Sequence, residues 1–308
     1  MWRNPKVLVT GVIASIVLAV SIIIINGMQM LSLVVRPFSY PHFRKFNAFL
    51  AKTYWSMCVY CAETVQGIEI IFTGDTVPRN ENAIVIANHQ GLTDVVFLLA
   101  LGLRNGRLQD FKWFAKDILR YVPGIGWGLG FLDSIFLKRD WMKDQTSIEE
   151  TFRNLKENKI PVWLISFLEG TRRTPAKLAA SQAFATQRGL PILKHLLTPR
   201  TKGFVASVKG LRGHIHGIYD ITIGYEETPS LTRMATGEVR RVHVHTRRFE
   251  ISQLPTTDEG LTQWTLQLFQ EKDQLLEEFY REGEFQKGAI LASAEEQFAK
   301  KPERTRST

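Results

Sequence analysis

The sequence predicts an α/β fold in which helices flank a mixed β-sheet, preceded by an N-terminal helical segment that anchors the chain in a membrane. Short apolar runs rich in β-branched residues alternate with longer amphipathic stretches, the pattern of strands and helices in such a domain. An apolar fraction of 44% in 308 residues allows a large buried core and excludes a disordered protein. We predict membrane helices over residues 1–62, a globular domain over 63–287 and a polar tail over 288–308.

The N-terminal apolar run is long enough to cross a bilayer. From Val7 to Ile25 it contains no charge, and as a helix it would measure about 28 Å, close to the thickness of the hydrocarbon layer. A secretory signal peptide has a shorter apolar centre and a small-residue cleavage site, which we do not find here. More basic residues follow the run than precede it, so the positive-inside bias favours a cytosolic position for the rest of the chain. These residues are Arg3 and Lys6 before the run, and Arg36, Arg44, Lys45 and Lys52 after it.

The segment from Tyr40 to Cys61 mixes aromatic rings with basic residues, which is typical of a membrane interface. We expect it to lie on the bilayer, and the alternative is a helix of the protein core. Its two cysteines, Cys58 and Cys61, are too few for a disulfide scaffold and lack further nearby ligands for zinc. We interpret them as packing residues and predict no metal site.

A histidine and an aspartate follow a predicted buried strand in the segment Asn88-His89-Gln90-Gly91-Leu92-Thr93-Asp94. The strand is the run from Ala83 to Ala87, and Asp94 begins an apolar helix. On one regular helix the two side chains would point about 140° apart, so they can meet only if His89 precedes the first helical turn. A carboxylate on one ring nitrogen leaves the other free to take a proton, so the pair could deprotonate a hydroxyl. The alternative is a structural pair that caps the helix.

A second polar segment, Leu168-Glu169-Gly170-Thr171-Arg172, follows the apolar strand predicted from Val162 to Phe167. Gly170 lets the backbone approach a ligand, Thr171 supplies a hydroxyl, and Arg172 supplies a forked cation for phosphate. Glu169 either orients Arg172 or binds a substrate hydroxyl. Taken alone, the segment is more typical of a plain turn.

Apolar runs and their periods predict further elements. The strands are Ile68 to Phe72, Ile135 to Leu137, Leu190 to Leu197 and Ile218 to Tyr225, and the helices are Asp144 to Glu157, Phe204 to Leu211 and Gln263 to Glu282. From Tyr121 to Gly130, one proline and four glycines interrupt an apolar stretch, so we expect it to line a hydrophobic groove. Two histidine pairs, at 214 and 216 and at 243 and 245, each fit one strand face, and we interpret them as packing or solvent-facing residues.

The net charge of +9 is concentrated in one part of the chain. From Gly170 to Tyr219 there is no acidic residue, while nine are basic. Such a field suits partners that carry phosphate, which include nucleic acid, anionic lipid and nucleotide-like cofactors. We find no nucleic-acid module with interleaved stacking aromatics and therefore expect no nucleic-acid partner.

With these segments in order, the chain resembles the lysophospholipid acyltransferase family, which includes the 1-acylglycerol-3-phosphate acyltransferases. The four matching blocks are Asn88-His89 with Asp94, Ile135 to Arg139, Glu169 to Arg172, and Leu197 to Phe204. The fourth block lacks the Val-Pro strand of many relatives and resembles the eukaryotic branch of lysocardiolipin and lysophosphatidylinositol acyltransferases. The resemblance covers roughly residues 65 to 285, and implies a glycerolipid acyltransferase-like fold with the catalytic domain over 63–287.

The resemblance also implies chemistry for individual residues. His89, held by Asp94, would act as base toward the free glycerol hydroxyl of a lysophospholipid acceptor, which attacks the thioester of acyl-CoA directly. Acyl-CoA is then a co-substrate, and no cofactor is expected. The sequence agrees, because it has no Gly-x-Ser-x-Gly elbow and neither cysteine lies beside a candidate base. The residues assigned to substrate binding are Asn88, Lys138, Arg139, Glu169, Gly170, Thr171, Arg172, Pro199 and Arg200.

Two features of the sequence favour different lipids as the acyl acceptor. The acid-free stretch favours the phosphomonoester of lysophosphatidate, with a charge of about −2, over a phosphodiester of about −1. The fourth block instead favours lysophosphatidylinositol or lysocardiolipin. We expect the protein in a membrane, that of the endoplasmic reticulum, with its catalytic domain facing the cytosol. A membrane-anchored, non-enzymatic protein that binds anionic lipid is the alternative class, and it leaves both strand-end motifs unexplained.

Overall fold

The computed structural model describes residues 5–138 and 141–285, without the side chains of residues 5, 6 and 141–143. Its helices are α1 (Pro5–Ser32), α2 (Tyr40–Tyr60), α3 (Asp94–Arg104), α4 (Ile125–Phe131), α5 (Trp141–Glu157), α6 (Pro175–Arg188), α7 (Thr201–Leu211), α8 (Leu231–Ala235) and α9 (Asp258–Glu282). Its strands are β1 (Glu69–Gly74), β2 (Ala83–Ala87), β3 (Phe111–Lys116), β4 (Ile135–Leu137), β5 (Trp163–Ser166), β6 (Gly217–Gly224) and β7 (Arg241–Glu250). The predicted tail, residues 288–308, lies outside the described residues.

The strands of the described residues form one mixed sheet of seven, in the order β1-β7-β6-β2-β5-β3-β4. Strands β2 to β6 are parallel to their neighbours among themselves, whereas β7 runs antiparallel to β6 and carries β1 parallel to itself. Strands β5 and β6 pair with the two edges of β2. The carboxyl ends of β5, β2 and β6 therefore lie side by side, and the predicted mixed α/β fold is confirmed.

Apolar layers cover both faces of the sheet. Along β2, Ala83, Val85 and Ala87 belong to the core on one face, and the alternating residues Ile84 and Ile86 belong to the core on the other. The first core includes residues of α3, and the second includes residues of α5, α7 and α9. Because β2 is buried on both faces, all of its residues are apolar. This continuous apolar run is the pattern from which the strand was predicted.

Helix α1 is the apolar N-terminal segment, and only 11% of its most apolar window is buried in the protein. Its length and composition would allow it to cross a membrane. It contacts the domain near both ends. Gly11 lies so close to the Ala235 carbonyl of α8 that a side-chain carbon there would overlap it. Fifteen residues later, or about 22 Å along the helix, Asn26 Oδ1 accepts a hydrogen bond of 2.7 Å from the backbone of Gly124, just before α4.

Helix α2 has two different faces. One face buries Phe43, Leu50 and Val59, and the following segment buries Ala62 in the core. The opposite face exposes large side chains, with Phe49 61% and Tyr60 59% exposed. The helix therefore belongs to the core, as the alternative interpretation held, while its outer rings lie where a lipid surface could contact them. Cys58 packs against the core, as predicted.

The prediction of a strand from Leu190 to Leu197 is wrong, because this segment has no regular secondary structure. Pro191 cannot donate to a strand ladder. Side-chain carboxylates take the donors that a strand would have used: Asp273 accepts from the backbone N–H groups of Lys194 and His195 at 2.8 and 2.7 Å. The segment is thus held by α9 and not by the sheet.

Other differences concern the histidine pairs and the glycine-rich stretch. His214 lies in a turn, not on a strand, and its Nε2 lies 2.7 Å from the carbonyl oxygen of Ile160. His243 lies on β7 as expected, and its ring packs edge-on against Phe279 at 5.1 Å. The stretch from residue 121 to 130 contains most of α4, which packs against α1, and Tyr121 is exposed before that helix begins. A hydrophobic groove lined by this stretch remains a prediction.

A buried ionic cluster joins α9 to β6. Lys272 Nζ lies 2.6 Å from Asp220 Oδ1, and both side chains are fully buried. Arg247 of β7 donates to the other oxygen of Asp220 at 2.8 Å, and Lys272 also donates to the carbonyl of Ile221 at 2.8 Å. Burial lowers the pKa of Lys272, and the Asp220 carboxylate opposes that effect. The cluster fixes α9 against the strand whose end reaches the candidate site.

Candidate active site

His89 and Asp94 meet at the carboxyl end of β2, at the start of α3. His89 Nδ1 lies 2.9 Å from Asp94 Oδ2. The loop between them, residues 90–93, turns the chain so that the carboxylate at the first position of α3 faces the histidine that ends the strand. This is the geometry that the sequence required for the pair to interact. Its catalytic role remains a prediction.

Asp94 is fixed by several donors. Its Oδ2 also accepts from the backbone N–H groups of Gln90 at 2.7 Å and Gly91 at 2.9 Å, and its Oδ1 accepts from the Tyr225 hydroxyl. The carboxylate is fully buried, while the His89 side chain is 16% exposed. An ionised Asp94 can only accept, so we assign the proton of neutral His89 to Nδ1. Nε2 is then the acceptor nitrogen, which the predicted role of His89 as a base requires.

The His89 ring is also held by stacking. It lies on Phe167, which directly follows β5, with ring centroids 4.0 Å apart and planes within 17° of parallel. Phe167 in turn packs on Trp113 of β3 at 6.4 Å. Because an aromatic surface covers one face and a carboxylate holds one nitrogen, the imidazole has little freedom to rotate away from the site.

Glu169 connects three loops of the site. One carboxylate oxygen accepts from the backbone N–H of His89 at 2.7 Å, and the other accepts from that of Leu197 at 3.0 Å. The residue is buried, and that burial raises the pKa of its carboxyl to about 7. Both oxygens therefore face backbone donors of the protein. Glu169 therefore holds the loop of His89 and the start of the fourth block in place. A direct contact of Glu169 with substrate remains a prediction.

We expect Glu169→Gln to lower the stability of the protein. The amide nitrogen of Gln would face one of the two backbone N–H groups, which loses a hydrogen bond and leaves a buried donor without a partner. The cost is about 1–3 kcal/mol. Denaturant unfolding of the detergent-solubilised variant would measure it, with Glu278→Gln on the exposed face of α9 as control. An equal stability of the two variants would contradict this assignment.

The Gly-Thr-Arg part of the motif lies beside other cations. Gly170 has φ +68°, and a side-chain carbon there would come within 2.9 Å of Arg200 Cδ, so glycine is required for Arg200 to pack across the turn. The Thr171 hydroxyl accepts from Lys177 Nζ at 2.7 Å. Arg172, Lys177 and Arg200 are exposed. The third and fourth blocks thus come together as an exposed basic surface, as phosphate binding requires.

The remaining predicted residues lie in different settings. Asn88 is buried, and its amide both donates to the carbonyl of Ile223 at 3.0 Å and accepts from its N–H at 2.8 Å, so it holds β2 to β6. Pro199 is buried beside the exposed Arg200. Lys138 is exposed just after β4, and Arg139 lies outside the described residues. Substrate contacts by these residues remain predictions.

The sequence did not point to Tyr225, Phe167 or Lys177. Tyr225 and Phe167 each directly follow a strand whose end lies beside that of β2, so a prediction of parallel pairing would have placed them next to His89. Lys177 could not be distinguished from other basic residues of the same stretch. Within residues 5–138 and 141–285, no group of three or more metal-binding side chains is arranged as a metal site.

Comparisons with known proteins show the family to which the chain belongs. Residues 69–226 match the Acyltransferase family model, and residues 233–308 match the model for the Acyltransferase C-terminus. The chain is 36% identical to human 1-acyl-sn-glycerol-3-phosphate acyltransferase gamma, over 90% of this chain and 75% of the relative. It is 35% identical to the probable 1-acyl-sn-glycerol-3-phosphate acyltransferase 5 of Arabidopsis thaliana, over 82% of this chain and 68% of the relative.

A solved structure has the same fold. The crystal structure of the 1-acyl-sn-glycerophosphate acyltransferase PlsC from Thermotoga maritima matches with a TM-score of 0.55 and 18% identity, over 90% of this chain and 98% of that one. The family model and the sequence relatives together define an enzyme that transfers acyl groups. The chain belongs to the acyltransferase family, and its resemblance to the lysophospholipid acyltransferases is confirmed.

Proposed function

We propose that the protein transfers a fatty acyl group from acyl-CoA to the free glycerol hydroxyl of 1-acyl-sn-glycerol-3-phosphate. The observation that carries the proposal is the partly exposed imidazole of His89, whose Nδ1 is fixed by a buried carboxylate. In the proposed reaction, His89 Nε2 takes the hydroxyl proton as the oxygen attacks the thioester carbonyl. The C–S bond then breaks, and His89 returns the proton to the CoA thiolate.

Two observations support lysophosphatidate as the acceptor. The relatives carry this activity in their names. The surface beside His89 combines the exposed cations of Arg172, Lys177 and Arg200, which suits a phosphomonoester of about −2 better than a phosphodiester of about −1. Lysophosphatidylinositol and lysocardiolipin are the second candidates, because the fourth block resembles the branch that acylates them.

The test is acyl transfer by the purified protein from labelled acyl-CoA to lysophosphatidate, lysophosphatidylinositol and lysocardiolipin in parallel. We expect lysophosphatidate to give the highest kcat/KM. A kcat/KM for lysophosphatidylinositol at least tenfold higher, about 1.4 kcal/mol of transition-state stabilisation, would overturn the charge argument. Lipid binding without transfer to any of the three would favour the non-enzymatic alternative.

Arg172→Ala should raise the KM for lysophosphatidate by about tenfold or more, because a forked cation is lost from the proposed phosphate site. Arg172→Lys should restore only part of the affinity, since an ammonium cannot form the paired hydrogen bonds. Arg188→Ala removes an equal charge from the exposed end of α6 and serves as control. A similar loss with uncharged monoacylglycerol as acceptor would argue against a phosphate contact.

We propose that the enzyme works at the cytosolic face of the endoplasmic reticulum membrane, where acyl-CoA is found. Contacts of α1 with the domain at both Gly11 and Asn26 favour a helix that lies lengthwise in one leaflet, because an upright span would draw the domain into the bilayer. The exposed rings of α2 support the same placement.

This placement predicts the fate of two epitope tags in sealed microsomes. Tags added before Met1 and after Thr308 should both be cleaved by external protease. An upright helix would instead protect the N-terminal tag alone, as the positive-inside bias of the sequence allows. Protection of the C-terminal tag would overturn the cytosolic orientation of the domain. Adding detergent should make every tag accessible to the protease. This control shows that any protection seen before came from intact vesicles.

A further inference from the structure

The residue after β6, Tyr225, reaches the other side of the His89–Asp94 pair. Its hydroxyl donates to Asp94 Oδ1, while His89 Nδ1 lies on Oδ2 of the same carboxylate. The side chain is 2% exposed, and its ring packs on Phe97 of α3 with centroids 5.8 Å apart. Tyr225 thus holds the carboxylate through the oxygen that does not contact the imidazole.

We propose that Tyr225 is a positioning residue for acyl transfer, whose hydroxyl sets the rotation of the Asp94 carboxylate so that Oδ2 meets His89. The inference rests on the proposed function, because positioning has meaning only if His89 acts as base. It assigns to the end of β6 a role that the sequence motifs do not include.

The two oxygens of the Asp94 carboxylate differ in the number of donors that they face. The Oδ2 atom accepts from His89, Gln90 and Gly91, whereas Oδ1 accepts from Tyr225. The outer torsion of an aspartate is broad and has only a weak intrinsic preference, so donors decide its angle. Without the hydroxyl, Oδ1 would be a buried oxygen with no hydrogen bond among those found in the described residues. The carboxylate would then turn toward other donors or admit water, and its contact with His89 Nδ1 would lengthen.

The phenol is well suited to this task. Burial and the nearby Asp94 carboxylate raise the pKa of Tyr225 well above its ordinary value, so it remains a neutral donor. Its ring keeps its place through the contact with Phe97, which a phenylalanine would preserve. Tyr225→Phe therefore keeps the ring and removes the hydroxyl, with its hydrogen bond to Asp94 and its interaction with Thr93.

The same strand provides a matched control. Tyr219 of β6 is also fully buried, and its hydroxyl also donates to a carboxylate, that of Glu81. Glu81 lies just before β2, at the amino end of that strand, whereas His89 lies after its carboxyl end. Tyr219→Phe hence removes the same group from the same strand, next to a carboxylate that has no contact with His89. A purely structural role for such hydroxyls predicts similar behaviour of both variants.

Kinetics of lysophosphatidate acylation test the proposal. We expect Tyr225→Phe to lower kcat about tenfold, equivalent to 1.4 kcal/mol, with KM values for both substrates within about twofold of the wild type. Tyr219→Phe should leave kcat within about twofold. In an Asp94→Asn background, Tyr225→Phe should cost much less than it does in the wild type, because the negative charge that Tyr225 orients toward His89 is already absent. An unchanged kcat, or a change confined to KM, would overturn the proposal.

A second measurement does not depend on turnover. Hydrogen exchange of the peptide that contains Gln90 and Gly91 reports on the backbone N–H groups that Asp94 holds. Exchange in this peptide should be faster in Tyr225→Phe than in the wild type and unchanged in Tyr219→Phe. If the wild type transfers no acyl group, the proposed function has failed, and exchange alone decides whether Tyr225 holds Asp94. Equal exchange in all three proteins would refute that link.

Discussion

Replacing His89 with Ala is expected to lower kcat for acyl transfer by about 10³-fold, because the proton acceptor of the reaction is lost. The fold should remain. The backbone N–H of residue 89 still donates to Glu169 at 2.7 Å, and its carbonyl still accepts from the N–H of Arg173 at 2.8 Å. Initial rates with acyl-CoA and lysophosphatidate, together with a thermal unfolding curve, would measure both effects.

A matched control is available for this variant. His214 lies before the amino end of β6, whereas His89 lies after the carboxyl end of β2. The Nε2 atom of His214 contacts the carbonyl of Ile160. His214→Ala should keep near-wild-type turnover, even if it costs some stability. Near-wild-type turnover of His89→Ala would instead refute the proposed mechanism.

The second large effect is expected for Asp94→Asn, with a fall in kcat of about 10²-fold or more. The amide oxygen can still accept from His89, Gln90 and Gly91, and the amide nitrogen can donate to the Tyr225 oxygen. The hydrogen bonds can therefore survive in number, while the negative charge that stabilises the imidazolium is removed.

Asp94→Asn consequently separates charge from geometry. We expect substrate KM values to change little, because Asp94 is fully buried and does not reach the surface that substrate contacts. A variant with normal kcat would show that the carboxylate serves only to start α3. That outcome would support the helix-capping alternative considered for this pair.

The sequence predicted well those parts of the fold in which neighbouring residues carry the information. Strands β2 and β4 were found with their observed limits, because each is a short apolar run bounded by polar residues. The His89–Asp94 contact was also predictable, since its partners are only five positions apart and a glycine-containing loop of four residues joins them. Strand β3 was missed because its buried Lys112 interrupts the apolar pattern.

Contacts between residues that are far apart in the sequence could not be predicted from such local patterns. Tyr225 meets Asp94 across 131 positions, and Glu169 meets His89 across 80. Only the order of strands in the sheet brings these residues together. The irregular segment from residue 190 to 197 was mistaken for a strand for the same reason, since its donors are taken by carboxylates of Asp273 and Glu169 from elsewhere in the chain.

The buried position of Lys272 limits how the protein can be shortened. A fragment that ended at the last strand would keep Asp220 inside the sheet with one of its two cations removed. Removing one partner from a buried ionic cluster typically costs up to about 3–5 kcal/mol, a large share of the stability of most domains. Soluble fragments for crystallisation should therefore extend at least through Glu282, and trimming should be attempted at α1, whose surface is mostly outside the core.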